Sequence, residues 1–260
     1  MSGVKVFVLA AALAIVMLVV PARSEVIRFG VATEPYPPFT KKDVSGHWVG
    51  FEIDLMIAIC AEMKAKCEIV ETPWEGIIPA LQAGKFDVIW SSMTITELRK
   101  TAIDFSDKIY QLPNLIIGPK SESLTIDFSN PESVRGKVIG VHVGTTNADF
   151  LRKFFGATAV IKACSDYAAC FDEAKLEHMD LLIADALDAS DFLHSEAGKD
   201  WEVKATAPRD RTLGLGVGAG FRKSDTWLRV RFNAVLADLH RDGTYERIAR
   251  MYFNFDPYSE

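Results

Sequence analysis

The 260-residue chain contains no G-x-S-x-G, H-E-x-x-H or Walker sequence. Its five histidines are scattered at positions 47, 142, 178, 194 and 240, so no nucleophile and base can be assembled along the chain, which argues against a hydrolase. There is no surplus of positive charge: 29 Lys and Arg against 35 Asp and Glu give a net charge of −6, which argues against nucleic acid and anionic membrane as partners. Past the first 20 residues no apolar run is long enough to cross a bilayer, and there is neither an internal repeat nor a low-complexity segment. The glycines of "GLGVGAG" (Gly214–Gly220) fall at every second position with no turn into a helix, so they do not form a dinucleotide fingerprint. They read instead as one face of a strand packed close to another backbone. No cofactor is expected.

Cysteine is scarce too, at Cys60, Cys67, Cys164 and Cys170. Zinc prefers C-x-x-C-like pairs or nearby histidine ligands, and these pairs have six and five intervening residues with no histidine beside them. In an exported chain, the close spacing predicts two disulfides, 60–67 and 164–170. Export itself is read from residues 1–24, where Lys5 precedes the apolar run "VFVLAAALAIVMLVV" and then "PARS". Those are the three parts of a cleavable signal peptide, with cleavage expected before Glu25.

Beyond residue 24 the chain alternates strand-like and helix-like segments. "EVIRFGVA", "KCEIVET", "FDVIW", "NLIIGP", "KVIGVHV" and "DLLIAD" read as strands, several of them apolar on both faces. "FEIDLMIAICAEM" places Phe51, Leu55, Ile59 and Met63 on one helical face. Further helices are expected at "EGIIPALQAG", "NADFLRKFF", "YAACFDEAKL", "TWLRVRFNAVLADLHRDG" and "TYERIARMYF". The alternation predicts an α/β fold with mostly parallel sheets. Two polar, turn-rich stretches, 119–137 and 204–214, read as connections beside crossings to and from a second lobe.

Polar residues gather at the ends of these strands. After "FDVIW" come Ser91, Ser92, Thr94 and Arg99; Thr94 with Glu97 fits a capping box, and the two serines precede that cap. Arg99 lies a turn into the helix, and arginine is the side chain suited to a bidentate grip on a carboxylate. After "KVIGVHV", Gly144 allows close backbone approach, and Thr145 or Thr146 caps a helix whose first N–H groups suit an anion. Asp185 ends a strand where α/β proteins bind ligands, and it also fits an N-cap. Asp188 and Asp191 follow at helix spacing, read as a solvated face. Tyr36, in a Pro-rich loop two residues after Glu34, and Trp74 could stack on a cationic group.

Taken together, "GFEIDLMIAIC" with its C-x6-C, "IIPALQAGKFDVIWSSMTITELRK", "IDFSDKIY", "GVHVGTT", "DLLIAD", "GFRKSD" and "DGTYERIARMYFNFDPY" resemble the type II periplasmic solute-binding proteins for polar amino acids, family 3. The resemblance covers nearly all of the chain after residue 24 and is nearest to the histidine- and lysine/arginine/ornithine-binding branch. It implies a two-lobed fold, each lobe a mostly parallel sheet flanked by helices and joined to the other by two hinge strands. Lobe 1 would comprise 25–111 and 208–260, and lobe 2 would comprise 112–207. It implies a monomeric periplasmic receptor, not an enzyme, that carries a cationic L-amino acid to the membrane permease of an ABC importer. Arg99, with backbone N–H groups at Thr94 and Thr146, would hold the ligand carboxylate. Asp185, Ser92 and Thr94 would hold its ammonium, Tyr36 and Trp74 would sandwich its side chain, and Glu34 would face the distal cation. Ser91, Gly144 and Thr145 complete the expected site. Trp74 stands where that branch often has Leu and resembles the opine-binding relatives, so an opine or another polar amino acid is the alternative ligand. A cyclohexadienyl-dehydratase-like enzyme is the alternative from another class.

Overall fold

The computed structural model describes residues 25–176 and 178–258. The expected signal peptide, residues 1–24, lies outside the described residues. The chain begins with β1 (Val26–Ala32), a small hairpin of β2 (Lys41–Lys42) and β3 (Trp48–Val49), then α1 (Phe51–Glu62), β4 (Lys66–Thr72), α2 (Ile77–Gln82), β5 (Val88–Ile89), α3 (Glu97–Ala102) and β6 (Asp104–Phe105). It next passes through β7 (Asn114–Pro119), β8 (Val138–His142), α4 (Thr146–Phe155), β9 (Val160–Cys164), α5 (Tyr167–Lys175), β10 (Leu181–Asp185), α6 (Ala186–Leu193) and β11 (Trp201–Thr206). It ends with β12 (Gly220–Phe221), α7 (Thr226–Arg241) and α8 (Thr244–Ala249).

These strands form two five-stranded sheets, ordered β4-β1-β5-β12-β6 and β11-β7-β10-β8-β9. The ladders β4-β1-β5 and β9-β8-β10 are parallel, because a helix connects each successive strand and returns the chain to the same end. The sheets are mixed nonetheless: β12 runs antiparallel to β5 and β6, and β7 antiparallel to β10 and β11. Those strands border the places where the chain changes sheet, and no crossover helix fixes their direction.

Each sheet has its own apolar packing. Phe51, Leu55, Ile59 and Met63 are buried on one face of α1 as their spacing predicts, against Phe29, Val88, Phe221 and Phe232. The second sheet packs Ile116, Ile139, Val141 and Ile183 against Phe150, Leu151 and Phe155 of α4. Leu213 still packs on this second cluster, so the return to the first sheet falls after it. Both disulfides form as the spacing predicts, with Cα–Cα distances of 6.1 Å for Cys60–Cys67 and 5.4 Å for Cys164–Cys170.

The glycine run differs from the strand expected for it. Only Gly220 joins a ladder, while Gly214 and Gly216 have φ of 79° and 95°. The close backbone approach does hold: a Cβ on Gly216 would lie 2.9 Å from the Tyr110 carbonyl oxygen. Val217 sits between Thr94 and Tyr110 in isolated bridges, tying the returning chain to the segment that carries Ser91–Arg99.

Candidate ligand-binding cleft

The two sheets face each other across a cavity of about 670 Å³. Glu34, Tyr36, Trp74, Ser91, Ser92, Thr94 and Arg99 line it from the first sheet's side, and Thr145, Thr146 and Asp185 from the second's. Gly144 stands behind the rim. Its carbonyl oxygen accepts from Arg99 Nη2 at 3.1 Å, and its φ of 70° lets the backbone come within reach of the Trp74 ring. Ten of the eleven expected residues therefore line one cavity, and the eleventh touches one of them.

Arg99 is aimed by the start of α3, but not by the cap the sequence suggests. Helix α3 begins at Glu97, and its N-cap is Thr96, whose hydroxyl accepts from the Arg99 amide at 3.1 Å. Thr94 is extended and bridged to Val217, which leaves its hydroxyl out of the helix start, and Glu97 pairs with Lys100 instead. The Thr94 carbonyl accepts from Arg99 Nη1 at 2.9 Å, and the Trp74 ring lies 5.4 Å from the guanidinium carbon. Among the described residues no carboxylate forms an ion pair with Arg99, and burial holds its pKa down at about 10. Helix α4 starts beside it with Thr145 as N-cap; its hydroxyl accepts from the Ala148 amide at 3.4 Å. The amides of Thr146 and Asn147, ahead of the one Thr145 caps, lack carbonyl partners within the helix, so this end of the cavity offers donors and positive charge.

The other end is anionic. Asp185 caps α6, accepting from the amides of Leu187 at 2.9 Å and Asp188 at 3.3 Å. The Tyr36 hydroxyl donates to it across the cavity. Asp188 is 6% exposed rather than on a solvated face, while Asp191 is exposed as expected. Burial pushes both the Asp185 and Asp188 carboxyls upward, and the neighbouring Asp185 charge pushes Asp188 further.

Several residues do less than expected for a ligand, or something additional. The Ser91 hydroxyl accepts from the Ala32 amide at 3.0 Å, which joins the ends of β1 and β5. Glu34 lines the cavity, yet its carboxylate turns back to accept from the Trp74 amide at 3.1 Å. Tyr36 stacks on Phe39 at 5.0 Å and faces Tyr167 at 6.5 Å, whereas Trp74 covers Arg99 and meets His142. The Ser92 hydroxyl donates to Glu52 Oε1 at 3.1 Å and receives the Tyr110 hydroxyl at 2.7 Å. Ser92 itself has a φ of 52°, a conformation that non-glycine residues seldom adopt, and Glu52 holds it there through its amide at 2.9 Å.

Glu52, Tyr110, His142, Asn147 and Tyr167 are not singled out by the sequence. Burial raises the Glu52 carboxyl to about 7. His142 and Asn147 line the cavity and are 9% and 4% exposed; His142 Nε2 and Asn147 Oδ1 find no protein donor. Burial pushes the His142 pKa down, so the ring is neutral at pH 7. His142 ends a parallel strand, so the rule that singles out Asp185 could have found it. Glu52 had no such signal, since it lies inside an amphipathic helix.

Comparison with known proteins shows the family. The model for bacterial extracellular solute-binding proteins, family 3, matches residues 27–255. The lysine/arginine/ornithine-binding periplasmic protein of Escherichia coli (strain K12) is 35% identical over 244 residues, 92% of this chain and 92% of that protein. Among solved structures, an ancestral arginine-binding protein bound to arginine superimposes with a TM-score of 0.78 at 31% identity, covering 88% of this chain and 98% of that one. An ancestral amino acid-binding protein, a precursor of cyclohexadienyl dehydratase, gives 0.74 at 32% identity over 88% of this chain and 95% of that one. With two facing α/β layers, a charged cleft between them and a family match along almost the whole described chain, this protein belongs to family 3 of the bacterial extracellular solute-binding proteins and has the type II periplasmic binding protein fold.

Proposed function

We propose that the protein is the extracytoplasmic receptor of an ABC importer and binds a cationic L-amino acid: arginine, lysine, ornithine or histidine. One observation carries this reading. A half-buried arginine with no acidic partner and a buried aspartate with no basic partner, among the described residues, line the same cavity. A zwitterion supplies both missing partners, and each desolvated charge must be paired. Arg99 with the amides at Thr94 and Thr146 takes the carboxylate, and Asp185 takes the ammonium with Ser92 and Thr94 beside it. Gly144 and Thr145 shape the helix start that faces the carboxylate, and Ser91 braces the floor.

The side chain extends toward Tyr36, Trp74, Glu34, His142 and Asn147. Asn147 Oδ1 and the Glu34 carboxylate are acceptors, which favours a donor-rich cation over the second carboxylate of an opine. Hydrogen bonds to charged groups contribute about 1.5–3 kcal/mol each, so a handful, less ordering costs, reaches the roughly 8 kcal/mol of a micromolar complex. In this proposal the protein is a periplasmic monomer that closes around its ligand and docks on a membrane permease. Its lobes divide at about residue 111 and, because Leu213 packs with the second lobe, at about 213 rather than 207.

A thermal-shift screen across the four cationic amino acids, neutral amino acids and opines tests this, because a ligand that binds only the native state raises the melting temperature. Stabilisation by cationic L-amino acids alone supports it; stabilisation by opines alone overturns the ligand assignment. The enzyme reading has one observation in its favour, a titratable His142 in the cleft. Turnover of a cyclohexadienyl substrate would establish it.

A further inference from the structure

Asp185 and Asp188 are 7% and 6% exposed, one helical turn apart at the start of α6. The Asp188 amide donates to Asp185 Oδ1 at 3.3 Å, which holds the two residues together at the helix start, and Asp188 Oδ2 is buried with no hydrogen-bond partner. Among the described residues, no lysine, arginine or histidine forms an ion pair with either group. The titratable groups packed around them are Tyr36 from the loop after β1, Tyr110, Tyr167 of α5 and Asp191 of α6. None of these brings positive charge. Two buried carboxylates at one helix start with no cation beside them resist being ionised together, and one proton on the pair relieves the repulsion.

We propose that Asp188 is a positioning residue that shares one proton with Asp185 in the empty cleft, and that an ammonium group arriving at Asp185 expels that proton to solvent. The inference rests on the receptor reading, in which Asp185 takes the ligand ammonium. The charges balance. The empty pair carries one negative charge and one proton. With the cation bound, both carboxylates are ionised, the ammonium keeps its three protons, and one proton leaves. Asp188 contributes by ionising only when a cation is present, so the pair becomes more acidic as the ligand seats. The Tyr36 hydroxyl donates to Asp185 from the opposite wall, so both walls of the cleft meet at this pair.

Calorimetry of L-arginine binding at pH 7 in buffers of different ionisation enthalpy reads the proton count directly. The expected result is release of close to one proton per ligand, with affinity rising up to tenfold per pH unit wherever a full proton is released. Asp188→Asn should keep binding but abolish the release. An infrared difference spectrum of the unmutated protein should show the loss of one neutral-carboxyl C=O band when L-arginine is added, and this measurement needs no variant to fold. Binding without proton release in the unmutated protein overturns the inference and leaves the receptor reading standing. Release that persists in Asp188→Asn but disappears in Glu52→Gln also overturns it, by assigning the proton to the carboxyl behind Ser92. Failure of all four cationic amino acids to bind overturns both readings.

Discussion

The two ends of the cleft are built in opposite ways. At the Arg99 end, a cation, the Thr94 carbonyl and the start of α3 come from one continuous stretch, with the start of α4 opposite. At the Asp185 end, Tyr36 from the loop after β1 and Tyr167 of α5 stand around the two acids at the start of α6. The first end is preorganised: its donors are fixed by helix starts and its one charge is permanent. The second end is titratable: burial displaces the pKa values of both Asp185 and Asp188 upward. Fixed donors give affinity at any pH, whereas a buried acid cluster makes part of the affinity depend on what the protons do.

Mutations can break this contrast. The largest effect is expected for Arg99→Ala, which should weaken L-arginine binding at least a hundredfold by calorimetry while circular dichroism and melting stay near normal. That corresponds to two charge-assisted hydrogen bonds at about 1.5–3 kcal/mol each. Unchanged affinity would remove Arg99 from the site. Asp185→Asn comes next, with a loss of about tenfold to a hundredfold, since the amide keeps one acceptor but loses the charge. Glu34→Gln should cost less, about threefold to tenfold, and more for arginine or lysine than for a neutral amino acid. Equal losses for both ligand types would show that the distal region does not read positive charge.

Stability sharpens the comparison further. Glu52 has a folded-state pKa of about 7, above its ordinary 4.5, so between those values the folded protein holds a proton that the unfolded chain has lost. Its contribution to stability is therefore present below pH 4.5 and is lost as pH rises through 7. Glu52→Gln should melt at a temperature less dependent on pH between about 5 and 8, with a gain at the upper end of at most about 3 kcal/mol. A pH dependence identical to that of the unmutated protein would mean that Glu52 ionises normally. The smallest effect is that of the cap: Thr96→Ala should cost about 1 kcal/mol by denaturant unfolding, and Thr94→Ala less. The reverse order would restore Thr94 as the helix start.

The same contrast decides what could be read from the sequence. Six of the strands, the long helices and both disulfides follow from local periodicity and spacing, and Arg99 with its neighbours is legible because its chemistry is contiguous. Strand β11 was not legible, since its end at Thr206 falls in the stretch read as a turn-rich connection. Antiparallel β7 and β12 were not legible, because their direction depends on where the chain changes sheet. Asp188 reads as part of a solvated face in the sequence, since helix spacing alone does not show that tertiary packing leaves it 6% exposed. Thr94 lost the cap to Thr96 through its pairing with Val217, a partner more than a hundred residues away.

The central claim is that one cavity pairs both charges of an amino acid. Titration calorimetry with L-arginine and with agmatine, the same molecule without its carboxylate, tests it most directly. Micromolar or tighter binding of L-arginine and at least hundredfold weaker binding of agmatine is the predicted result. Equal affinity for the two would contradict it, because Arg99 would then have no carboxylate to hold.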